Sequence, residues 1–160
     1  MMKIVVASDH RGVNVRARIL DIIQGLGFTG VDFGANGEES VDYPDYASKV
    51  AGSVSSAEAD RGILVCGTGI GMCIVANKFD GVRAAPIHDD ITAALSRQHN
   101  DLNVLCLSAD LISDQALERI VTTWLKTEFE GGRHARRLEK VARIESDKHD
   151  EPIAQEDPVS

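Results

Sequence analysis

Cys66-Gly67-Thr68-Gly69-Ile70-Gly71-Met72 joins a thiol and a hydroxyl to three alternating glycines. The apolar run Ile63-Leu64-Val65 precedes it with strand character, and Met72 to Asn77 follows with helix-like apolar content. That order sets Cys66 and Thr68 beside backbone N–H groups at a helix start, where unpartnered donors and the helix dipole favour negative charge. The same setting favours a thiolate over a thiol. A potential base facing an anion hole suggests proton abstraction next to a carbonyl. A cysteine that ends a buried strand is more commonly a small core hydrophobe. The glycine run argues against that here, since an inert core residue needs no exposed backbone donors. Cys73 and Cys106 lack such a setting and read as packing residues.

Nucleotide motifs fit the glycines poorly. A dinucleotide fingerprint needs GxGxxG, and Met72 stands in its final slot; a P-loop needs Gly-Lys-Ser/Thr, which the chain lacks. Asp9-His10-Arg11-Gly12 follows the first strand-like run. It reads either as a helix cap or as a polar pair able to exchange protons with a sugar hydroxyl. His99, in Gln98-His99-Asn100-Asp101, either complements a helix C-terminus or serves as a general acid, if the fold or a second subunit brings it to the Cys66 loop. In Gly131-Gly132-Arg133-His134-Ala135-Arg136-Arg137, two glycines end one helix, and Arg133, Arg136 and Arg137 share a face of the next. The plain reading is a solvated basic face. In an acidic protein the cluster resembles a fork-geometry phosphate clamp.

Composition narrows the classes. The chain has 160 residues, 43% hydrophobic and 26% charged, which suits one soluble domain with a core of its own. A net charge of -8 argues against bulk nucleic-acid binding. No apolar stretch approaches the roughly 20 residues of a membrane span. The N-terminal Met1 to Ala7 reads as a strand rather than a signal peptide. Three cysteines with no CxxC pair and no ligand-like histidine spacing argue against zinc and point to a reducing cytoplasm.

The elements that must position these groups alternate between strand and helix. Strands are expected at Lys3–Ala7, Gly30–Phe33, Gly62–Val65, Val82–Ile87 and Asn103–Leu107. Helices are expected over 13–26, from Tyr43 to about Ser55, after Asp90 with a buried stripe of Ile91, Ala94 and Leu95, and after a Ser113 cap with Leu117, Ile120, Val121, Trp124 and Leu125 inward. A last helix carries the arginines, with Leu138, Val141 and Ala142 as an apolar face suited to a partner subunit. Repeated βα units predict an α/β fold, a parallel sheet with helices on both faces. Ligands then sit beyond the carboxyl ends of the strands. The residues from Ser146 onward are polar and acidic and read as a mobile tail without chemistry.

Taken together, Ser8-Asp9-His10-Arg11-Gly12, Tyr43-Pro44-Asp45-Tyr46, the Cys66–Met72 loop with Ala76-Asn77-Lys78, Val82-Arg83-Ala84-Ala85, His99-Asn100 and Gly131 to Arg137 resemble the ribose-5-phosphate isomerase B family, whose superfamily includes the galactose-6-phosphate isomerase subunits. The resemblance runs over residues 3–145. It implies a Rossmann-like three-layer αβα sandwich with a five-stranded parallel sheet and an extending C-terminal helix. It also implies a homodimer or tetramer without cofactor or metal, its active site shared between chains.

By that resemblance Cys66 is the base that moves a proton between C2 and C1 through a cis-enediol(ate). Thr68 and the loop Gly67, Gly69, Ile70 and Gly71 bind the oxygens of the intermediate. His99, with Asp9 assisting, opens the sugar ring from the neighbouring subunit. His10, Arg133 and Arg137 lie toward the phosphate, while Asn100 and Tyr43 contact substrate. Some relatives carry a glutamate base further along the loop, and Met72 fills that slot here. One departure stands out: after the fifth strand many relatives carry an arginine that reaches the phosphate, and Asp110 fills that slot here. An acid there would repel a phosphate or pair with Arg133 or Arg137. Ribose 5-phosphate is the first expectation for the substrate. Galactose 6-phosphate, allose 6-phosphate or a tetrulose phosphate would need the same chemistry, and a non-catalytic sugar-phosphate-binding subunit would keep the fold without turnover.

Overall fold

The computed structural model of the chain describes residues 1–37 and 39–150. Five short apolar runs form one parallel sheet: β1 (Lys3–Ser8), β2 (Thr29–Asp32), β3 (Arg61–Cys66), β4 (Ala84–Pro86) and β5 (Val104–Ser108), in the order β2-β1-β3-β5-β4. The side-chain period of two divides each central strand between two cores. Ile4 and Val6 of β1, with Ile63, Val65, Leu105 and Leu107, pack beneath one helical layer. Val5 and Ala7, with Leu64, Cys66, Val104 and Cys106, face the other. Strands buried on both faces must be apolar throughout, which is why β3 and β5 read as continuous runs rather than alternating ones.

The first layer holds α1 (Val13–Gly25), α4 (Asp90–Asn100) and α5 (Asp114–Lys126); the second holds α2 (Tyr43–Ser55) and α3 (Ile70–Ala76). The result is the expected three-layer, Rossmann-like arrangement. Helix α5 buries the stripe predicted for it, with Trp124 fully enclosed, and Ser113 caps it by accepting from the Ala116 N–H at 3.3 Å. Helix α4 departs from expectation. Its cap is Asp89, which accepts from the Thr92 N–H at 2.7 Å, and it buries Ala93, Ser96 and Arg97. Ile91 and Leu95, expected inside, are 70% and 41% exposed. Arg97 explains the rotation: its guanidinium turns inward to the Leu102 carbonyl at 2.6 Å and to Asp101 at 2.8 Å, leaving the isoleucine face outside.

Strand β4 is shorter than the Val82–Ile87 expected, because it lies at the sheet edge. The Arg83 carbonyl and the Ile87 N–H turn to β5, so Ala84 and Pro86 face outward. The Asn77 side chain takes both outward groups of Ala84, donating to its carbonyl at 2.8 Å and accepting from its N–H at 2.9 Å.

Residues Met1–Glu130 form one compact unit, and Gly131 opens a second. In the second, Gly131 and Gly132 adopt positive φ of 66° and 57° before α6 (Arg133–Asp150). The helix continues through the positions read as the start of a tail at Ser146; residues 151–160 lie outside the described residues. Among the described residues no helix is long and apolar enough to cross a membrane.

Candidate active site

The chain leaves β1 toward β2 on one side and leaves β3 toward β4 on the other, so the loops after β1 and β3 diverge at the carboxyl edge of the sheet. Such a divergence opens a ligand crevice in an α/β fold. Four segments meet there, and all belong to the first unit.

After β1, Asp9 is 94% buried from solvent by its neighbours, with 6% exposed. Its N–H donates to the Val65 carbonyl at 3.1 Å, and its Oδ1 accepts from the Arg11 N–H at 2.9 Å. The carboxylate therefore caps the 3₁₀ turn His10–Gly12, as the plainer of its two readings anticipated. Beneath it the buried Arg16 donates to the Ser8 hydroxyl at 2.6 Å and pairs with Asp32 at 2.9 Å, which braces the strand end. Nδ1 of His10 accepts from the Val41 N–H at 3.3 Å, so the neutral ring carries its proton on Nε2. That bond also ties the segment leading into Tyr43 to the site.

After β3, Cys66 has 6% of its surface exposed, and its Sγ accepts from the Gly69 N–H at 3.1 Å. Gly69 stands at φ 78°, and a Cβ there would lie 3.1 Å from the Leu107 carbonyl, so conformation and space both require glycine. The exposed Thr68 accepts from the Ile70 N–H at 3.3 Å through Oγ1. Two N–H groups of the loop thus serve the thiol and the hydroxyl themselves and hold both in place. A Cβ on Gly71 would stand 2.7 Å from the Tyr43 ring, which brings Tyr43 onto the loop. Met72 is fully buried in the core and has no part in the site.

The other two cysteines are not alike. The hydrogen bond with Cys106 brings the Cys73 thiol down to about 7, opposed by burial and aided by the Asn77 amide. The same bond, and then burial, push the Cys106 thiol well up.

After β5, the Ala109 N–H reaches the Cys66 carbonyl at 2.9 Å and the Ser108 hydroxyl reaches the Gly67 carbonyl at 2.6 Å. This extends the β3–β5 ladder beyond the strands and delivers Asp110 beside Gly67. Its partner there is Arg11, with Nη2 to Oδ2 at 2.6 Å, rather than Arg133 or Arg137 as the sequence suggested. Both residues come from loops at the same edge of one sheet, and the parallel β1-β3-β5 register brings those loops together. Arg11 is the neighbour that sequence reasoning passed over. Its direct sequence to Asp9-His10, together with an acid in the β5 loop needing a counter-charge, was the available signal.

His99 and Asn100 are placed apart from these groups. Helix α4 runs back from the carboxyl edge, and the Asn100 carbonyl accepts from Arg83, just before β4, at 3.0 Å. They lie at the amino edge, separated from Cys66 by roughly 16 Å of strand length. One chain does not unite them. Arg133 and Arg137 are both exposed on α6 in the second unit, one helical turn apart.

The family described as Ribose/Galactose Isomerase matches residues 4–141. The chain belongs to this family. Among solved isomerases of type B for ribose 5-phosphate, one from Clostridium thermocellum is 48% identical, with a TM-score of 0.89 and coverage of 92% of this chain and 99% of that one. Another, from Mycoplasma genitalium with bound ribulose 5-phosphate, is 44% identical, with a TM-score of 0.87 and coverage of 91% and 97%. A D-erythrulose-4-phosphate isomerase from Pectobacterium atrosepticum is 40% identical over 152 residues, covering 93% of this chain and 99% of that protein. Within the family's fold, this isomerase-family member sets a held thiol, a capping carboxylate and a loop of backbone donors at one sheet edge.

Proposed function

We propose that the protein is a cofactor-free aldose–ketose isomerase of a sugar phosphate, interconverting ribose 5-phosphate and ribulose 5-phosphate, with Cys66 as base. The observation that carries this is the Cys66 sulfur held by the Gly69 N–H at the ligand edge of a fold shared with ribose-5-phosphate isomerases.

In the reading, the Cys66 thiolate takes the proton from C2 of the open-chain aldose. The electron pair of that C–H bond forms the C1–C2 double bond while O1 gains a proton, giving the cis-enediol. Return of the proton from sulfur to C1, with loss of the O2 proton, leaves the ketose. A base placed this way contributes about 10²–10⁴ in rate. Thr68 and Gly67–Gly71 meet the intermediate's oxygens, where a well-aimed donor is worth about 3–4 kcal/mol. Asp9 and His99 open the sugar ring. His10, Arg133 and Arg137 bind phosphate, which anchors the substrate away from the reacting carbons; Asn100 and Tyr43 complete the contacts.

Because His99 and Asn100 lie at the far edge from Cys66, the reading requires a second copy to supply them, in a homodimer or a pair of dimers. The exposed Ile70 and Ile74 of α3 and Ile91 and Leu95 of α4 offer apolar faces for that contact. We read residues 1–145 as the isomerase domain and 146–160 as a segment without chemistry, and we read the three free cysteines as those of a cytoplasmic protein and the net charge of -8 as that of a protein without nucleic-acid or membrane partners.

The test is a coupled assay with ribose 5-phosphate on wild type and Cys66→Ala. Loss of turnover with retained sugar-phosphate binding supports the reading, and unchanged turnover removes the base. A second substrate, such as a tetrulose or hexose phosphate, is favoured by the Arg11–Asp110 pair beside Gly67, and ranking kcat/KM over four-, five- and six-carbon sugar phosphates decides it. A binding subunit predicts binding with no turnover of any of them, and a nucleotide-dependent oxidoreductase predicts NAD(P) binding in a titration.

A further inference from the structure

Arg11 and Asp110 come from different βα loops and meet over Gly67. Oδ2 of Asp110 lies 2.6 Å from Nη2 of Arg11, and a Cβ on Gly67 would stand 3.1 Å from that oxygen and 3.2 Å from Nε of Arg11. Backbone contacts brace both residues. Asp9 holds the Arg11 N–H at 2.9 Å, and the Asp110 N–H reaches the Gly67 carbonyl at 3.3 Å. The two side chains are 55% and 40% exposed, and pairs of that kind add little to folding. Their distinction is position, one residue from Cys66.

The pair uses one carboxylate oxygen and one guanidinium nitrogen. It leaves Oδ1 as an acceptor and the remaining guanidinium N–H groups as donors, on side chains that are 55% and 40% exposed beside Gly67. A hydroxyl both donates and accepts, so it matches this couple. A phosphate dianion would meet the charge of Asp110 together with that of Arg11, and the two nearly cancel. We infer that Arg11 and Asp110 form a specificity-determining wall that faces a hydroxyl of the sugar rather than its phosphate. The inference rests on the isomerase reading above and deepens it. A polar couple built for one hydroxyl discriminates against a sugar that lacks it or carries it elsewhere, because the couple is then left unmatched.

The experiment measures kcat and KM on four-, five- and six-carbon sugar phosphates, and inhibition by inorganic phosphate, for wild type, Arg11→Ala, Asp110→Ala and the double variant. The double variant keeps the wild-type net charge at this point. It should hold phosphate inhibition within about twofold while changing the kcat/KM ratio between chain lengths roughly tenfold, the size of one lost polar contact. Asp110→Ala alone, freeing the Arg11 charge, should tighten phosphate inhibition severalfold. A double variant with the wild-type ranking of sugars overturns the wall. A double variant that loses phosphate inhibition as fully as Arg11→Ala moves Arg11 to the phosphate and overturns the hydroxyl assignment. Wild-type protein inert toward every sugar phosphate would instead remove the isomerase reading, and this inference with it.

Discussion

The Gly69 N–H points at the Cys66 sulfur from 3.1 Å, and the backbone that aims it is open only to glycine. A methyl group at position 69 would press on the Leu107 carbonyl and require φ near 78° of an L residue. The loop must then shift and the donor leaves the sulfur. Displacements of this order cost about 10² in rate when reacting groups are involved. Gly69→Ala should therefore lower kcat by that order with a native circular dichroism spectrum, and an unchanged kcat would detach this donor from the chemistry.

Tyr43 and Gly71 offer a separate handle on binding. Gly71→Ala places a methyl 2.7 Å from two Tyr43 ring carbons, so the ring must move off the loop. The expected result in steady-state kinetics is a KM raised about tenfold, near 1.4 kcal/mol of lost binding, with kcat changed less. Tyr43→Ala should raise KM similarly, and the two substitutions combined should not add, because both remove one contact.

Cys66 and His99 at opposite sheet edges make a sharper claim. If each site takes Cys66 from one chain and His99 from another, a mixed dimer of Cys66→Ala and His99→Ala chains contains one intact site. Half of the dimers in an equal, fully exchanged mixture are mixed, so activity should recover to about a quarter of wild type. Two inactive variants that stay inactive after unfolding and co-refolding would place both residues in separate functions.

Much of this was written in periodicity. The apolar runs of β1, β3 and β5 and the stripe of α5 were legible because each is buried as its pattern requires. The Cys66 loop was legible because alternating glycines after a strand have few other uses. Helix α4 misled because hydrophobicity alone assigned Ile91 and Leu95 to the core, whereas the inward turn of Arg97 to Leu102 and Asp101 decided the rotation. The meeting of Arg11 with Asp110, 99 positions apart, depends on the β3–β5 register and has no local signature.

The thiols separate by environment. Iodoacetamide labelling of Cys73 should climb as pH rises through about 7, since thiol dominates below that value and thiolate above it. Cys106, fully buried with its thiol pushed up, should remain unlabelled in the folded protein. Cys73→Ala should stay active and still be inactivated by the reagent, with the modification found by mass spectrometry on Cys66. Survival of activity after full alkylation of Cys66 would contradict its role as base.

Gly12 ties the fold to the Asp9 turn. A Cβ there would lie 2.8 Å from both Ser8 Cβ and Val65 Cγ1, inside the packed carboxyl end of the sheet. Overpacking of this kind costs about 1–3 kcal/mol. Gly12→Ala should lower Tm by several degrees in a thermal melt, and a Tm within one degree of wild type would mean that the strand end yields freely.

The amide of Asn77 folded over Ala84, with Pro86 two residues on, has a bearing on how copies of the chain can meet. Strand addition needs a rim of vacant donors and acceptors, and at these outward positions one residue is already satisfied and the other has no N–H. Copies meeting at this flank are steered away from fusing their sheets into one ribbon. Association there falls to side chains, which makes it adjustable by single substitutions and shields the chain from runaway fibre growth along that rim.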